Sequence, residues 1–538
     1  MKGSSTKVLV ALWGFAVIGF ILVSPKWTFA PAAWFAPGLL LVFLQQLKAA
    51  KGIMLAFLGL FIASLISNYH VVPFPDIVFV IVTLFGCVFA LIPYLAHRSL
   101  FLKVSAPFAT LIFPTVSVLL EYAMGYGSGK GTWGMLGYSQ VENSALMQLA
   151  SITGIWGISF LVYWFGSVIA VAAERGFRWG EIRTPVITFA AVWLTILVFG
   201  AVRINPYFQS GRETVRVAGI TGSNLHILKS MYEDAFGRPG IDLEALFASN
   251  KLSITSPELQ EMQKAFVPFI EDPTGVKFTR TRSLIDAFSD SLFKQAAREA
   301  GAGARIISFS EAIIFTDKEN EDVLLRRGLE FAGSHKVYLM LTAATILKGP
   351  VDGQRKFMEN KSWLIGPQGN VLNVFLKNKP VPVAEAGSVP GDGVVPVVPT
   401  KVGNLSSSIC YDADFPSLIR QAGEKHADIL ILPSGDWREI SPYHARMAAV
   451  RSIENGFSLL RTVSGATSVA CNEYGEVVAS RNYFDQGAKV LIAYLPVGGV
   501  RTIYSQIGDV FVYACAGLMM WVLVTMGIAK FSRKGNTA

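Results

Sequence analysis

Eight apolar stretches decide what this chain can fold into. Runs near 7–24, 31–47, 52–68, 75–96, 104–124, 145–173, 185–202 and 507–529 are each long enough, or nearly so, to cross about 30 Å of hydrocarbon as a helix. A water-soluble core has no place for so many, and 52% hydrophobic content in 538 residues fits a membrane protein instead. The order is seven spans, one large polar insertion, and a last span. The first run follows Lys2 and Lys7 as a signal peptide would, but no small-residue cleavage site with a polar mature start comes after it, and another span follows directly. It reads as a retained helix.

The net charge of +9 raises the question of a polyanionic partner, and its location answers it. Residues 1–203 hold 12 Lys/Arg against 5 Asp/Glu, residues 506–538 hold 3 against 1, and residues 204–505 hold 32 of each sign. The basic excess therefore borders apolar runs, where topology explains it better than nucleic acid does. With the N-terminus in the cytoplasm, that side collects Lys2, Lys7, Lys48, Lys51, Arg98, Lys103, Arg175, Arg178, Arg183, Lys530, Arg533 and Lys534, and the other short loops hold only Lys26 and Lys130. This bias places both termini in the cytoplasm and residues 204–505 outside it. Acidic residues are nearly absent from the spans, with Glu121 the main exception. A pump or channel usually needs ionisable groups at mid-depth, so transport is disfavoured.

The polar insertion alternates short aliphatic runs with helical stretches. Val215–Thr221, Ile306–Ser310, Val337–Ala343, Leu405–Ile409 and Ile429–Leu432 read as buried strands, and Ser283–Ala300 and His444–Glu454 as helices. Trp363–Ile365 and Val371–Leu376 flank the turn Pro367-Gln-Gly-Asn370 as a hairpin. The expected fold is a polytopic helical membrane domain of eight spans, seven plus one, carrying a layered α/β sandwich. Its limits are 1–203 for the first seven spans, 204–505 for the sandwich, and 506–538 for the last span and tail. Residues 224–280 read as an irregular insertion near the membrane, and glycine-rich 125–137 as an external loop or lid.

Cys87 and Cys515 lie in apolar runs, leaving Cys410 and Cys471 for a water-facing domain; their spacing does not require a disulfide. No CxxC or HExxH cluster supports a metal, and no cofactor motif appears. Three polar residues stand at strand ends: Glu311 in Ser308-Phe-Ser-Glu-Ala312, Lys377 in Leu376-Lys-Asn-Lys-Pro-Val-Pro382, and Cys410 in Ser408-Ile-Cys-Tyr-Asp412. A thiol attacks as its thiolate, so it needs a base for its proton and a cation for the charge that develops. The bland readings are a core cysteine, a solvated Lys377–Lys379 pair and a surface carboxylate. His426 and His444 read as structural or surface residues, and Cys471 as structural.

The three segments, in this order and 66 and 33 residues apart, resemble the Glu, Lys and Cys motifs of the nitrilase (carbon–nitrogen hydrolase) superfamily. Ser434-Gly-Asp-Trp437 and Arg446–Asn455 resemble the segments that come after the cysteine in that superfamily. Seven spans before such a domain and one after it, with Gly131-Thr-Trp-Gly-Met-Leu-Gly-Tyr138, Gln148, Gly154 and Gly157–Leu161, resemble the apolipoprotein N-acyltransferase branch. That resemblance implies an αββα sandwich in which Glu311 is the base, Cys410 the nucleophile and Lys377 the oxyanion stabiliser. Glu385 matches a supporting acid and Tyr411 the tyrosine after the nucleophile. Asp412 stands where the family more often has glutamate, and Phe309-Ser310-Glu311 where it has Trp-Pro-Glu.

The resemblance further implies a two-step acyl transfer in a bacterial inner membrane. The donor is a phospholipid, the carrier a Cys410 thioester, and the acceptor the N-terminal amine of a diacylglyceryl-cysteine prolipoprotein. Membrane lipids are the surroundings, nucleic acid is not a partner, no cofactor or metal is implied, and a monomer is favoured. Two other readings share the sequence: a membrane-tethered amidase or nitrilase that hands the thioester to water, and a non-catalytic receptor with a pseudo-enzyme domain.

Overall fold

The structure, a computed structural model, describes residues 5–535 except 73, 75, 128, 206–211, 250 and 354, with side chains described to residue 526. Lys2, the side chains of Lys530, Arg533 and Lys534, and the 206–211 stretch near the expected domain limit lie outside those residues. Two compact units form, Met1–Gln209 with Gln506–Ala538, and Ser210–Ser505.

The first unit is helical: α1 Thr6–Val23, α2 Ala30–Gln45, α3 Ala49–Asn68, α4 Asp76–Lys103, α5 Ala106–Gly127, α6 Ile155–Glu174 and α7 Trp179–Arg203, with a last helix, Val510–Gly535. Among the described residues, six are long and apolar enough to cross a membrane; α2 and the apolar part of the last helix, Val510–Met526, are shorter. The protein is a membrane protein. The run expected over 145–173 is not one helix: the turns Ser144–Met147 and Ala150–Thr153 precede α6, because Gly154 takes φ 65°, which ends one helical segment and starts the next.

Small residues let α2 and α6 touch backbone to backbone. A Cβ on Gly38 would lie 2.9 Å from the Gly166 Cα and carbonyl oxygen. Glu121 on α5 has a structural use, since its carboxylate accepts hydrogen bonds from Leu136 N and Tyr163 Oη, both at 3.0 Å. The segment it holds packs into the helical unit at the end of glycine-rich 125–137, of which Tyr126, Gly127, Lys130 and Gly134 are exposed. Leu136–Gln140 is a buried 3-10 turn, Gly137 N donates to Ser159 Oγ (2.9 Å) and Trp34 Nε1 to Gln140 Oε1 (2.9 Å). At the end of the glycine-rich stretch the lack of a side chain serves close packing, since a Cβ on Gly137 would meet Ile155 O at 3.0 Å, whereas Gly127 and Gly134 have nothing within 4 Å.

The second unit is a two-sheet sandwich. Its strands are β1 Thr214–Ile220, β2 Ile306–Phe309, β3 Ile314–Asp317, β4 Tyr338–Ile346, β5 Met358–Ile365, β6 Val371–Leu376, β7 Val397–Thr400, β8 Gly403–Ser407, β9 Ile429–Ile431, β10 Ser434–Gly435, β11 Ser458–Arg461, β12 Val463–Ser464, β13 Thr467–Cys471, β14 Val477–Asn482 and β15 Val490–Pro496. One sheet runs β15-β1-β2-β4-β5-β6 with β3 also on β4, the other β14-β13-β11-β9-β8-β7, and β10 pairs β12. β1, β2 and β4 are parallel, as are β8, β9 and β11. Strands buried on both faces read as unbroken aliphatic runs. Val215, Val217, Ile306, Met340 and Leu364 meet Leu405, Ile429, Ile431 and Leu460 between the sheets. Alternate residues face helices: Ile307, Leu339 and Leu341 pack on α8 Thr279–Gly301 and α9 Glu321–His335. Leu430, Leu432 and Leu459 pack on α10 Pro416–Glu424 and α11 Tyr443–Asn455. This is the expected αββα order.

Residues 224–280 depart from expectation. They form helices Leu225–Phe236, Leu243–Ala248, Pro257–Gln263 and Phe266–Glu271, and bury Met231, Met262, Phe269 and Phe278 in the core outside the first sheet. Three of these helices, of 6 or 7 residues, are too short for a clear period in sequence, which made the segment look irregular.

Gly166→Leu should separate α2 from α6 and destabilise the helical unit by about 1–3 kcal/mol. A lower thermal midpoint in detergent than for a leucine placed at half-buried Gly14, where nothing lies within 4 Å, is the expected result.

Candidate active site

Each expected site residue stands just past the end of a strand. Glu311 follows β2; the preceding Ser310 is held by Thr342 Oγ1 donating to its carbonyl (2.5 Å) and by a hydroxyl pair with Thr221 (2.8 Å). Lys377 follows β6, its backbone N donating to Asn360 O on β5 (2.9 Å). Cys410 comes three residues after β8, where Ser408 N and Cys410 N extend the pairing to Ile431 O (3.2 Å) and Pro433 O (2.9 Å). There the chain turns sharply into the 3-10 segment Cys410–Asp414, and Cys410 takes φ 45°, a left-handed conformation uncommon for a residue with a side chain.

These ends converge. The Lys377 ammonium, 1% exposed, lies 2.6 Å from Glu311 Oε1 and 2.6 Å from Glu385 Oε2. Asn360 Nδ2 reaches the same two carboxylates, at 2.7 Å to Glu311 Oε1 and 3.1 Å to Glu385 Oε1. Gly435 N donates to Glu311 Oε2 (2.7 Å), and Val381 N to Glu385 Oε2 (2.7 Å). Cys410 Sγ is placed to donate to Gly435 O (3.6 Å) or Asp436 Oδ1 (3.8 Å). Lys379, the other lysine of the motif, points elsewhere, its ammonium over the Phe415 ring (5.1 Å).

Burial and charge set the protonation states. Burial alone would strip the Lys377 proton, but the charges of Glu311, Cys410 and Glu385 reverse this and hold it well above the ordinary lysine range. Burial, with the Glu311 charge beside it, pushes the Cys410 thiol well up, against the pull of Lys377. Cys410 therefore rests as a thiol. Asp412 is a buried acid raised to about 7 by burial, against backbone hydrogen bonds that favour its anion. It accepts from Lys379 N (2.7 Å) and Ile409 N (3.1 Å), joining the loop of Lys377 to the turn of Cys410. Tyr411 stacks edge-on against Phe415 at 5.3 Å.

The structure adds residues the sequence did not single out. Asn360 lies mid-strand, and Asp436 sat unremarked within Ser434–Trp437. His444 is not a surface group: it is 4% exposed, with Nδ1 2.8 Å from Asp436 Oδ1 and Nε2 2.9 Å from Asp414 Oδ1. Arg461, fully buried at the end of β11, places Nη2 2.9 Å from Asp436 Oδ2. The acidic residue beside Trp437 was a signal in sequence; its partners, 8 and 25 residues away, were not. Cys410, Asp436 and His444 bring ligand-type atoms within 4.8 Å of one another. Arg461, also 3.0 Å from His444 Nδ1, brings a fixed positive charge there and makes the cluster a poor host for a cation. All four cysteines are unpaired.

Residues 14–168 match the family described as the apolipoprotein N-acyltransferase N-terminal domain, and residues 277–504 match carbon-nitrogen hydrolase. Proteins named apolipoprotein N-acyltransferase match along most of the chain. The one from Borreliella burgdorferi is 23% identical, over 95% of this chain and 91% of its own; that from Geobacter metallireducens is 22% identical, over 93% and 92%. The one from Bradyrhizobium diazoefficiens is 25% identical over 77% and 72%. The chain belongs to the apolipoprotein N-acyltransferase family. An amidase from Nesterenkonia sp. is similar in structure, with 20% identity and TM-score 0.36, covering 43% of this chain and 90% of that one.

In this member of the apolipoprotein N-acyltransferase family, the Lys377 charge is what lets two carboxylates share a dry site. Lys377→Met should cost about 3–5 kcal/mol, because it leaves the two carboxylates buried without their cation; thermal midpoints of the variant and the wild type check this. His444 supplies a pH dependence. Burial opposes its charge, but Asp436 and Asp414 raise its pKa from 6.5 to about 9. A raised folded pKa contributes stability that is complete below about 6.5 and lost as pH rises through about 9. The wild-type midpoint should fall across that window, and that of His444→Gln should fall less.

Proposed function

We propose that this protein transfers an acyl chain from a membrane phospholipid, through a thioester on Cys410, to the N-terminal amine of a diacylglyceryl-cysteine lipoprotein. The observation that supports it most is the Glu311–Lys377–Glu385 cluster beside the Cys410 turn, in a chain whose family acylates lipoproteins and whose first unit is apolar helix. Glu311 is the base and later the acid. Lys377 is the cation for developing negative charge, with Glu385 and Asn360 holding it and Glu311 in place, and Asp412 fixing the turn of Cys410.

The chemistry then runs in two halves. Glu311 takes the Cys410 proton as sulfur attacks the ester carbonyl carbon, and the oxyanion forms in the field of the Lys377 ammonium, a contribution on the order of a few kcal/mol. Collapse breaks the C–O bond, and the lysophospholipid alkoxide leaves with the proton from Glu311. In the second half an amine attacks the thioester carbonyl and gives its proton to Glu311. Collapse breaks the C–S bond, and the sulfur regains that proton, leaving an amide and a free thiol. Because Cys410 rests as a thiol, the base is required at the moment of attack.

The basic bias of the short loops supports both termini in the cytoplasm of a bacterium and the sandwich unit outside the inner membrane. Anchoring by its own helices keeps the nucleophile in the compartment where both lipid substrates reside. No step needs a cofactor or a metal.

Purified protein incubated with phospholipid, without amine, should carry a hydroxylamine-labile acyl group on the Cys410 peptide in mass spectrometry. Cys410→Ala should carry none, and Glu311→Gln should form it at least about 10³-fold more slowly. Adding a diacylated lipopeptide should discharge the thioester as amide; discharge as free fatty acid at the same rate with or without lipopeptide would replace this reading with a hydrolase.

A further inference from the structure

Both oxygens of Glu311 are already engaged in the resting site, Oε1 by Lys377 and Asn360 and Oε2 by Gly435 N. The hydrogen-bond acceptors of the Cys410 sulfur are Gly435 O (3.6 Å) and Asp436 Oδ1 (3.8 Å). Asp436 is in turn clamped by two cationic side chains. Arg461 Nη2 lies 2.9 Å from Oδ2 and 3.1 Å from Oδ1, and His444 Nδ1 lies 2.8 Å from Oδ1. The far nitrogen of His444 faces Asp414 at 2.9 Å. A ring whose two nitrogens each meet a carboxylate oxygen donates from both, so it carries two protons and a positive charge. The 3.0 Å approach of Arg461 Nη2 to His444 Nδ1 arises because both donors share Asp436 Oδ1.

We propose that Asp436 is the resting acceptor of the Cys410 thiol, and that His444 and Arg461, by neutralising Asp436, set how readily that thiol loses its proton. These are positioning residues, acting through the sulfur, and the proposal rests on Cys410 being the nucleophile. An uncompensated carboxylate beside the sulfur would oppose a thiolate strongly, since two negative charges would share a buried site. Compensated, it orients the S–H bond and leaves proton removal to Glu311. The directions of the shifts agree: burial raises the Asp436 carboxyl, yet Arg461 and His444 bring it well below the usual range, so it accepts the hydrogen bond without taking the proton. Charges facing His444 come from three elements: Asp436 after β10, Asp414 in the turn of Cys410, and Arg461 on β11. On its own helix, Arg451 pairs with Glu454.

The electrostatics give the two near-isosteric variants opposite signs. Asp436→Asn removes an anion 3.8 Å from the sulfur and should favour the thiolate; His444→Gln removes a cation and should disfavour it. The readout is alkylation of Cys410 by iodoacetamide in the full-length protein in detergent, followed by peptide mass spectrometry from pH 6 to pH 10. It requires neither lipid nor amine. Failure of selective Cys410 alkylation in the wild type would sink the nucleophile assignment itself, separately from the role of Asp436.

At pH 7–8, Asp436→Asn should be alkylated faster than wild type and His444→Gln more slowly, each by about tenfold for a one-unit change in thiol pKa. The gap between His444→Gln and wild type should close above about pH 9, where His444 loses its proton. Shifts of the same sign, or none, would overturn the proposal, because a purely structural role predicts no opposition. Should either variant fail to fold, the sign of the other decides. Should both fail, the wild type decides: its alkylation rate rises less steeply than hydroxide concentration through about pH 9 if the two protons are linked, and in proportion if they are not.

Discussion

Lys377 carries its charge where water does not reach, and it stays charged because Glu311 and Glu385 each lie 2.6 Å from its ammonium. Removing Lys377 would leave two carboxylates in a buried site without their cation, which folded proteins rarely tolerate. The surrounding architecture is organised to keep the three together. Asn360 reaches across from β5 to both carboxylates, and its carbonyl takes the backbone N–H of Lys377. The Gly435 amide closes the remaining oxygen of Glu311. A rigid strand end beneath each group limits how far any of them can drift, which is what a site for two successive carbonyl attacks needs.

A second charge cluster, with a different balance, also reaches the sulfur. Around Lys377 there are two acids and one base; around Asp436 there are two cations, Arg461 and His444, with Asp414 beyond. The thiol sits at a turn with φ 45° that projects Cys410 out of the parallel ladder. Asp412 ties this turn to the Lys377 loop through Lys379 N. A shorter acid than the family's more frequent glutamate suffices because its carboxylate bonds backbone N–H groups only a few residues or one loop away.

Membership of the apolipoprotein N-acyltransferase family gives the helical unit its meaning. Phospholipid and lipoprotein are both confined to a bilayer, so an enzyme that joins them gains from being confined there too. A thioester survives long enough to meet an amine only where water is scarce. The close approach of α2 and α6 at Gly38 and Gly166, and the anchoring of the Leu136 segment by Glu121 and Ser159, show a helical unit built for fixed packing.

What the sequence determined by itself was whatever has a local or periodic cause. Long apolar runs marked the membrane helices, because a lipid-facing helix must be apolar over its whole length. Aliphatic stretches such as Ile306–Phe309 and Ile429–Ile431 marked strands buried on both faces, and Glu311, Lys377 and Cys410 stood out as polar residues at their ends. Tertiary structure alone decided what depends on residues distant in the chain. The break at Gly154, the helices within 224–280, and the burial of Leu136–Gln140 were set by packing, which leaves little trace in pattern. Above all, His444 was an ordinary helix-opening histidine until the fold put Asp436, Asp414 and Arg461 around it. A side chain's charge state belongs to its neighbours in space, and only the folded sandwich determines who they are.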